Sequence, residues 1–281
     1  MENIAKIAKI DTIAKAIENN SEDGFFFVPW IGEKYEDGLN NKKVLVVGAS
    51  HYCNHSNICR NPNNNKGCSN YNCLNRCNLG CDYFLDCTSG NTKDYNDYCA
   101  WMKEYCDNYE DLCKAIDEIT GDKVEDIFEK LKSTTIGEVC NFLNNIETNK
   151  SFKKFTDFCC EYFECKSISD FWKSISFVNY SQNFQPGSTG NKFKESDFKA
   201  FNKYIELLKP NVVIVWGCAL GGELEKRGFK KEAIFYGYNW VNEGIQFVNS
   251  YHPSYEGFKD NGRLKEALDK AFQETSKVTN G

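Results

Sequence analysis

Three polar stretches in this sequence carry side chains able to do chemistry, and each follows an apolar run. His252-Pro253-Ser254 follows residues 245–251, Ala49-Ser50-His51-Tyr52 follows Val44-Leu45-Val46-Val47-Gly48, and Asn179-Tyr180-Ser181-Gln182 follows Phe177-Val178. An imidazole gains or loses a proton near neutral pH, a hydroxyl positions water or an anion, and a carboxamide offers a donor beside an acceptor. In an open parallel sheet, ligands bind beyond the carboxyl ends of the strands, so polar groups leaving several strands at one edge meet on a common ligand. The pattern predicts a site at such an edge.

The elements that must position these groups are legible as alternating apolar runs and amphipathic stretches. Strands are expected near 25–30, 44–47, 176–180, 212–216, 233–236 and 245–250, and helices at 152–164, 168–174, 196–208 and 219–227. Ser196 is the expected N-cap of the third of these helices, and Pro210 follows its end. Residues 2–18 space Ile4, Ile7, Ile10, Ile13 and Ile17 as one apolar helix stripe. Strands alternating with helices predict an α/β fold, a three-layer α/β/α sandwich with a short, mainly parallel sheet. One domain over residues 1–281 is expected, with a Cys-rich loop at 53–88 and a helical insertion at 89–167 between the first two core strands.

Composition narrows the function. With 281 residues and 41% apolar content the chain can bury a substantial core. The first residues lack the continuous apolar stretch of an export signal or membrane span, which predicts a cytoplasmic protein with no membrane partner. A net charge of −6 does not mark a nucleic-acid binder, so any such contact needs a local basic patch. Lys192, Lys194, Lys199 and Lys203 are one, and a solvated helix face is the alternative. No acidic pair has the spacing of a glycosidase dyad, and Gly48-Ala49-Ser50 is neither a dinucleotide nor a P-loop fingerprint.

The order of Val44-Leu-Val-Val-Gly48, Ser176-Phe-Val-Asn179, Lys209-Pro-Asn-Val-Val-Ile-Val-Trp-Gly217 and Tyr251-His-Pro-Ser254 resembles the uracil-DNA glycosylase superfamily. The likeness covers roughly residues 25–52 and 168–260. Phe27-Val-Pro-Trp-Ile-Gly-Glu-Lys-Tyr35, Ser50-His51-Tyr52 and Asp170-Phe-Trp-Lys173 look like a divergent bacterial branch of uncertain substrate. The resemblance implies a glycosylase-like fold that hydrolyses the bond between deoxyribose and uracil or another damaged or modified base, after turning the nucleotide out of the stack. The implied partner is DNA, duplex or single-stranded.

Carried over residue by residue, the resemblance makes His252 the donor to the base oxygen on which charge develops. Asn179 would read the base edge, Tyr52 would wall the pocket beside Gly48, and Gln182 would add a contact. Ser254 and Gly217, with Lys192 and Lys194, would face DNA. Each has a plainer alternative: a turn histidine, an Asx turn at Asn179, a core tyrosine, a loop cap at Gln182. The first motif departs from the superfamily, because Ala49-Ser50-His51 holds no carboxylate to activate water. His51 as a base or Ser50 as a water holder are the candidates left in that turn. An inactive nucleic-acid or nucleotide binder of the same fold is the alternative function.

Fifteen cysteines in a chain without an export signal point to reduced thiols, some of them binding metal. Cys53, Cys68, Cys73, Cys77 and Cys81, with Cys59, Cys87, His51 and His55 nearby, offer enough ligands for a tetrahedral zinc site, although no paired Cys-x-x-Cys occurs. Some members of the superfamily carry an iron-sulfur cluster, whose cysteine pattern this chain does not reproduce. Elemental analysis of the purified protein is expected to find zinc. Protein free of both zinc and iron would overturn the assignment.

Overall fold

The computed structural model describes residues 27–52, 134–182, 184–185, 193–228, 239–260 and 262–273. The stripe at 2–18, the cysteines at 53–87, Lys192 and the strand expected at 233–236 lie outside these residues.

Val44-Leu-Val-Val is apolar at every position, which suits a strand covered on both faces. It forms β2 (Val44–Gly48), with all five residues buried. Around it lie β1 (Trp30–Ile31), β4 (Ile175–Asn179), β6 (Val212–Trp216), β7 (Asn239–Asn242) and β8 (Ile245–Ser250), in the order β1-β4-β2-β6-β8-β7. The four inner strands run parallel and the two edges antiparallel, so the sheet is mixed. The hairpin β7–β8 turns on Glu243 and Gly244, both at positive φ (49° and 81°), the backbone that matches the twist of paired strands. Two short strands, β3 (His51–Tyr52) and β5 (Phe184–Gln185), pair separately beyond the sheet.

The α-helices among the described residues are α1 (Thr134–Asn144), α2 (Lys150–Tyr162), α3 (Ile168–Lys173), α4 (Glu195–Leu208), α5 (Cys218–Lys226) and α6 (Gly262–Gln273). Register puts Val44, Val46, Phe177, Ile214 and Trp216 on one face of the sheet. There α2 lays Phe152 at 5.1 Å from Phe177 and Phe155 at 4.8 Å from Trp216, ring centroid to centroid. Trp172 of α3 stacks on Phe152 at 5.1 Å, and Phe142 of α1 meets both rings. Edge-on aromatic pairs of this kind add about 0.5–1.5 kcal/mol each beyond their buried area. The opposite face carries Leu45, Val47, Val178, Val213 and Val215, and the chain continues from it to Tyr180, whose ring lies 5.5 Å from Phe201 of α4. Helices therefore cover both faces, and residues 134–162 of the expected insertion are part of the core.

Helix ends differ in detail from the expected ones. The N-cap of α4 is Lys194, not Ser196: the Asp197 carboxylate accepts from the Lys194 backbone N–H at 2.8 Å and from Gln182 N–H at 2.8 Å. A carboxylate three residues into the helix satisfies the first amides better than a hydroxyl one residue inside it. Asn149 caps α2 and Ser167 caps α3 through side-chain oxygens. Lys209, in the left-handed region at φ 48°, ends α4 just before Pro210. No helix of the described residues is long and apolar enough to cross a membrane.

Lys42 closes the far end of the molecule. Its buried ammonium donates to the carbonyls of Ala271 and Phe272 at 2.9 Å each, at the end of α6, where unpaired carbonyls and the helix dipole favour a cation. Lys42→Met is expected to lower the unfolding free energy by roughly 1–3 kcal/mol in urea melts. Lys43→Met, which removes only a 3.7 Å pair with exposed Glu36, should change it by less than about 0.5 kcal/mol.

Candidate functional site

In a parallel sheet ligands bind beyond the carboxyl ends of the strands, and the central strand ends here at Gly48. Asn179 ends the neighbouring strand in register with Gly48 and is 5% exposed. Its Oδ1 lies 2.3 Å from where a Cβ at residue 48 would stand, so the amide takes this position only because residue 48 is glycine.

The other end of the Asn179 carboxamide packs on His51, with Nδ2 3.1 Å from Nε2 and 3.3 Å from Nδ1. His51 is 1% exposed and stacks against Phe27, centroids 4.4 Å apart. Two residues of α1 engage its ring nitrogens: Thr135 Oγ1 at 2.9 Å from Nε2, and Glu138 Oε1 at 3.2 Å from Nδ1. A carboxylate only accepts, so Nδ1 bears the proton facing Glu138. Sequence reasoning missed Glu138, which lies 87 positions beyond His51 in an element outside the resemblance. Its i, i+3 spacing from Thr135 was the one signal available.

At the far side of the rim, His252 follows β8. Gly217 lies beside it beyond β6, at φ 96°, a backbone conformation that favours glycine; a Cβ there would meet the histidine Cβ at an ordinary 3.6 Å. The imidazole meets Trp216 edge-on at 6.1 Å. Ser254 donates its backbone N–H to Nδ1 at 3.1 Å, and its Oγ lies 2.7 Å from the same nitrogen. A backbone amide can only donate, so Nδ1 accepts and a neutral ring carries its proton on Nε2. Burial pushes the His252 pKa below the ordinary 6.5, which favours that neutral form.

Asn179 and His252 thus occupy one rim and one face of the sheet, three strand spacings apart, roughly 14 Å between backbones. Phe177 and Trp216 line the face between them, their rings 5.2 Å apart. Trp216 Nε1 is buried without a partner among the described residues.

The remaining sequence candidates are placed differently. Ser50 is buried, and its Oγ has no partner among the described residues. Gln182 closes its own loop: Oε1 accepts from Phe27 N–H and Tyr204 O–H, and Nε2 donates to the Asn179 carbonyl. That is the second of the two readings open for it. Tyr52 contributes its backbone to β3, in register with Gln185. Ser254 is exposed with both polar groups turned to His252. Lys199 is exposed on α4, and Lys203 pairs with Glu206 at 3.1 Å. Cys53, Cys68, Cys73, Cys77 and Cys81 fall outside the described residues, among which no cluster of three or more metal-binding side chains occurs. No protein-family model matches the chain, and no curated protein matches it either.

Because the His252 pKa is depressed in the folded state, its neutral form contributes stability in full above pH 6.5, and this is lost as pH falls through the folded value. An NMR titration of His252 is expected to give a midpoint below 6.5. A midpoint at or above 6.5 would contradict the burial described.

Proposed function

We propose that the chain is a DNA base glycosylase with a uracil-DNA-glycosylase-like fold, hydrolysing the N-glycosidic bond of uracil or another damaged or modified base. The observation that carries this reading is the protonation pattern of His252. Its Nδ1 is occupied by Ser254, which leaves a neutral ring with Nε2–H as a donor on the rim it shares with Asn179.

Cleavage of the bond to deoxyribose leaves electron density on the departing base, chiefly on its carbonyl oxygens. A fixed donor placed at such an oxygen strengthens its hydrogen bond as that charge grows, and a donor of this kind contributes about 2.7–4 kcal/mol. A neutral imidazole suits this work because it needs no buried cation, whose desolvation would be costly. Asn179, held by Gly48 and His51, has the donor and acceptor needed to read a base edge. A base inside a duplex cannot reach a recessed rim, so the nucleotide must be extruded or already unpaired. With a net charge of −6, binding is expected to rest on local contacts and to weaken steeply with salt.

A second reading, a nucleic-acid or nucleotide binder of the same fold without catalysis, draws on the turn after β2. Ala49-Ser50-His51 has no carboxylate, so the residue that would activate water is absent from its expected place. Oligonucleotides carrying uracil, other deaminated bases and modified cytosines distinguish the two. On at least one of them the protein is expected to generate alkali-labile abasic sites, and His252→Ala should slow this roughly 100- to 1,000-fold. Binding without cleavage across the whole panel would establish the second reading.

A further inference from the structure

We propose that Glu138, from helix α1, is the carboxylate that takes the proton of the attacking water. This inference rests on the glycosylase reading and supplies the group that the turn after β2 lacks.

The placement of Glu138 is built by buried groups. Thr135 and Glu138 stand three residues apart on α1 and so share one helix face. That face meets His51 at both ring nitrogens, Thr135 at Nε2 and Glu138 at Nδ1. Thr135 is fully buried, and the His51 ring is held against Phe27, so the imidazole has little freedom to turn. It therefore presents a fixed Nδ1–H that orients one oxygen of Glu138. The carboxylate itself is not sealed in: the side chain is 40% exposed, and Oε2 has no partner among the described residues. One oxygen anchored and the other open to solvent is the arrangement a water-activating carboxylate needs.

The location fits as well. Asn179 packs on the same imidazole, so the proposed base-reading amide and Glu138 are separated by a single ring. His51 here is a positioning residue, buried on all sides, and Glu138 is the group that touches water. In the step itself, a water held by Oε2 attacks the sugar C1′ and its oxygen forms the new C–O bond. Glu138 accepts the proton and later releases it to solvent, the C1′–N bond breaks, and its electron pair departs with the base. The base oxygen is held by His252 Nε2–H, and the base anion afterwards takes a proton from solvent. The products are the free base and an abasic sugar, with no oxidant or further reactant required.

The rival account of Glu138 is a surface ion pair of small energetic value. Steady-state kinetics on the best substrate of the oligonucleotide panel separate the two. Glu138→Gln is expected to lower kcat roughly 100- to 10,000-fold with KM within about threefold. Glu138→Ala should regain part of the rate when formate is added, since a small carboxylate can occupy the vacated space. Glu138→Asp, which keeps the charge, guards against a folding defect and should retain more activity than Glu138→Gln. Wild-type rates in Glu138→Gln, or a loss of rate with a parallel rise in KM and no formate rescue, would overturn the proposal while leaving the glycosylase reading intact. A wild-type protein that cuts no member of the panel would remove both.

Discussion

Residue 48 cannot carry a side chain without displacing Asn179, and much of the site follows from that close approach. With the Asn179 Oδ1 lodged where a Cβ would stand, its Nδ2 is turned onto His51. His51 in turn is gripped by two residues of α1, which brings Glu138 to the end of a strand that has no acid of its own. At the end of the adjacent strand Gly217 acts differently, through a φ of 96° that side chains rarely adopt, beside His252. Glycine at 48 thus makes room for Asn179, and glycine at 217 allows the backbone turn beside His252. Between them Phe177 and Trp216 are buried beneath Phe152 and Phe155 of α2, which anchors the two strand ends that carry these side chains.

Electrostatics divides the rim into unlike halves. On one side, burial keeps His252 neutral and Ser254 fixes its tautomer, giving a donor without a formal charge. On the other, a partly exposed carboxylate is oriented by a buried imidazole. Under the proposed glycosylase reading, which develops negative charge on a base and positive charge on a sugar, the uncharged donor would face the base and the anion the sugar. Both charges appear only in the transition state, which is where preorganised groups contribute most.

The central sheet was legible because its signals are local. Val44-Leu-Val-Val and Val212-Val-Ile-Val-Trp are too apolar and too short for anything but buried strands, and 245–250 forms a strand with the expected limits. The second edge was not foreseen: β7 is recognised through Glu243 and Gly244 at positive φ, and a Glu-Gly pair is a weaker turn signal than Asn-Gly. Helix α6 was likewise not anticipated. His252 and Asn179 were singled out from strand exits, and the structure puts both on one rim because parallel strands bring such exits together. Glu138 could not be found in that way, because what places it is the packing of Phe142 on Phe152 and Trp172, a tertiary fact. Gln182 shows the reverse limit: its chemistry suited a ligand, yet the backbone around it had unsatisfied groups nearer to hand.

The most direct measurement of the proposed glycosylase activity is a crystal structure of the protein bound to DNA bearing a non-hydrolysable analogue of the best substrate in the oligonucleotide panel. The account predicts an extruded base at the carboxyl ends of the inner strands, with Asn179 at its edge and His252 Nε2 at a carbonyl oxygen. A base seated on the opposite face of the sheet, or away from the carboxyl ends of the four inner strands, would contradict it.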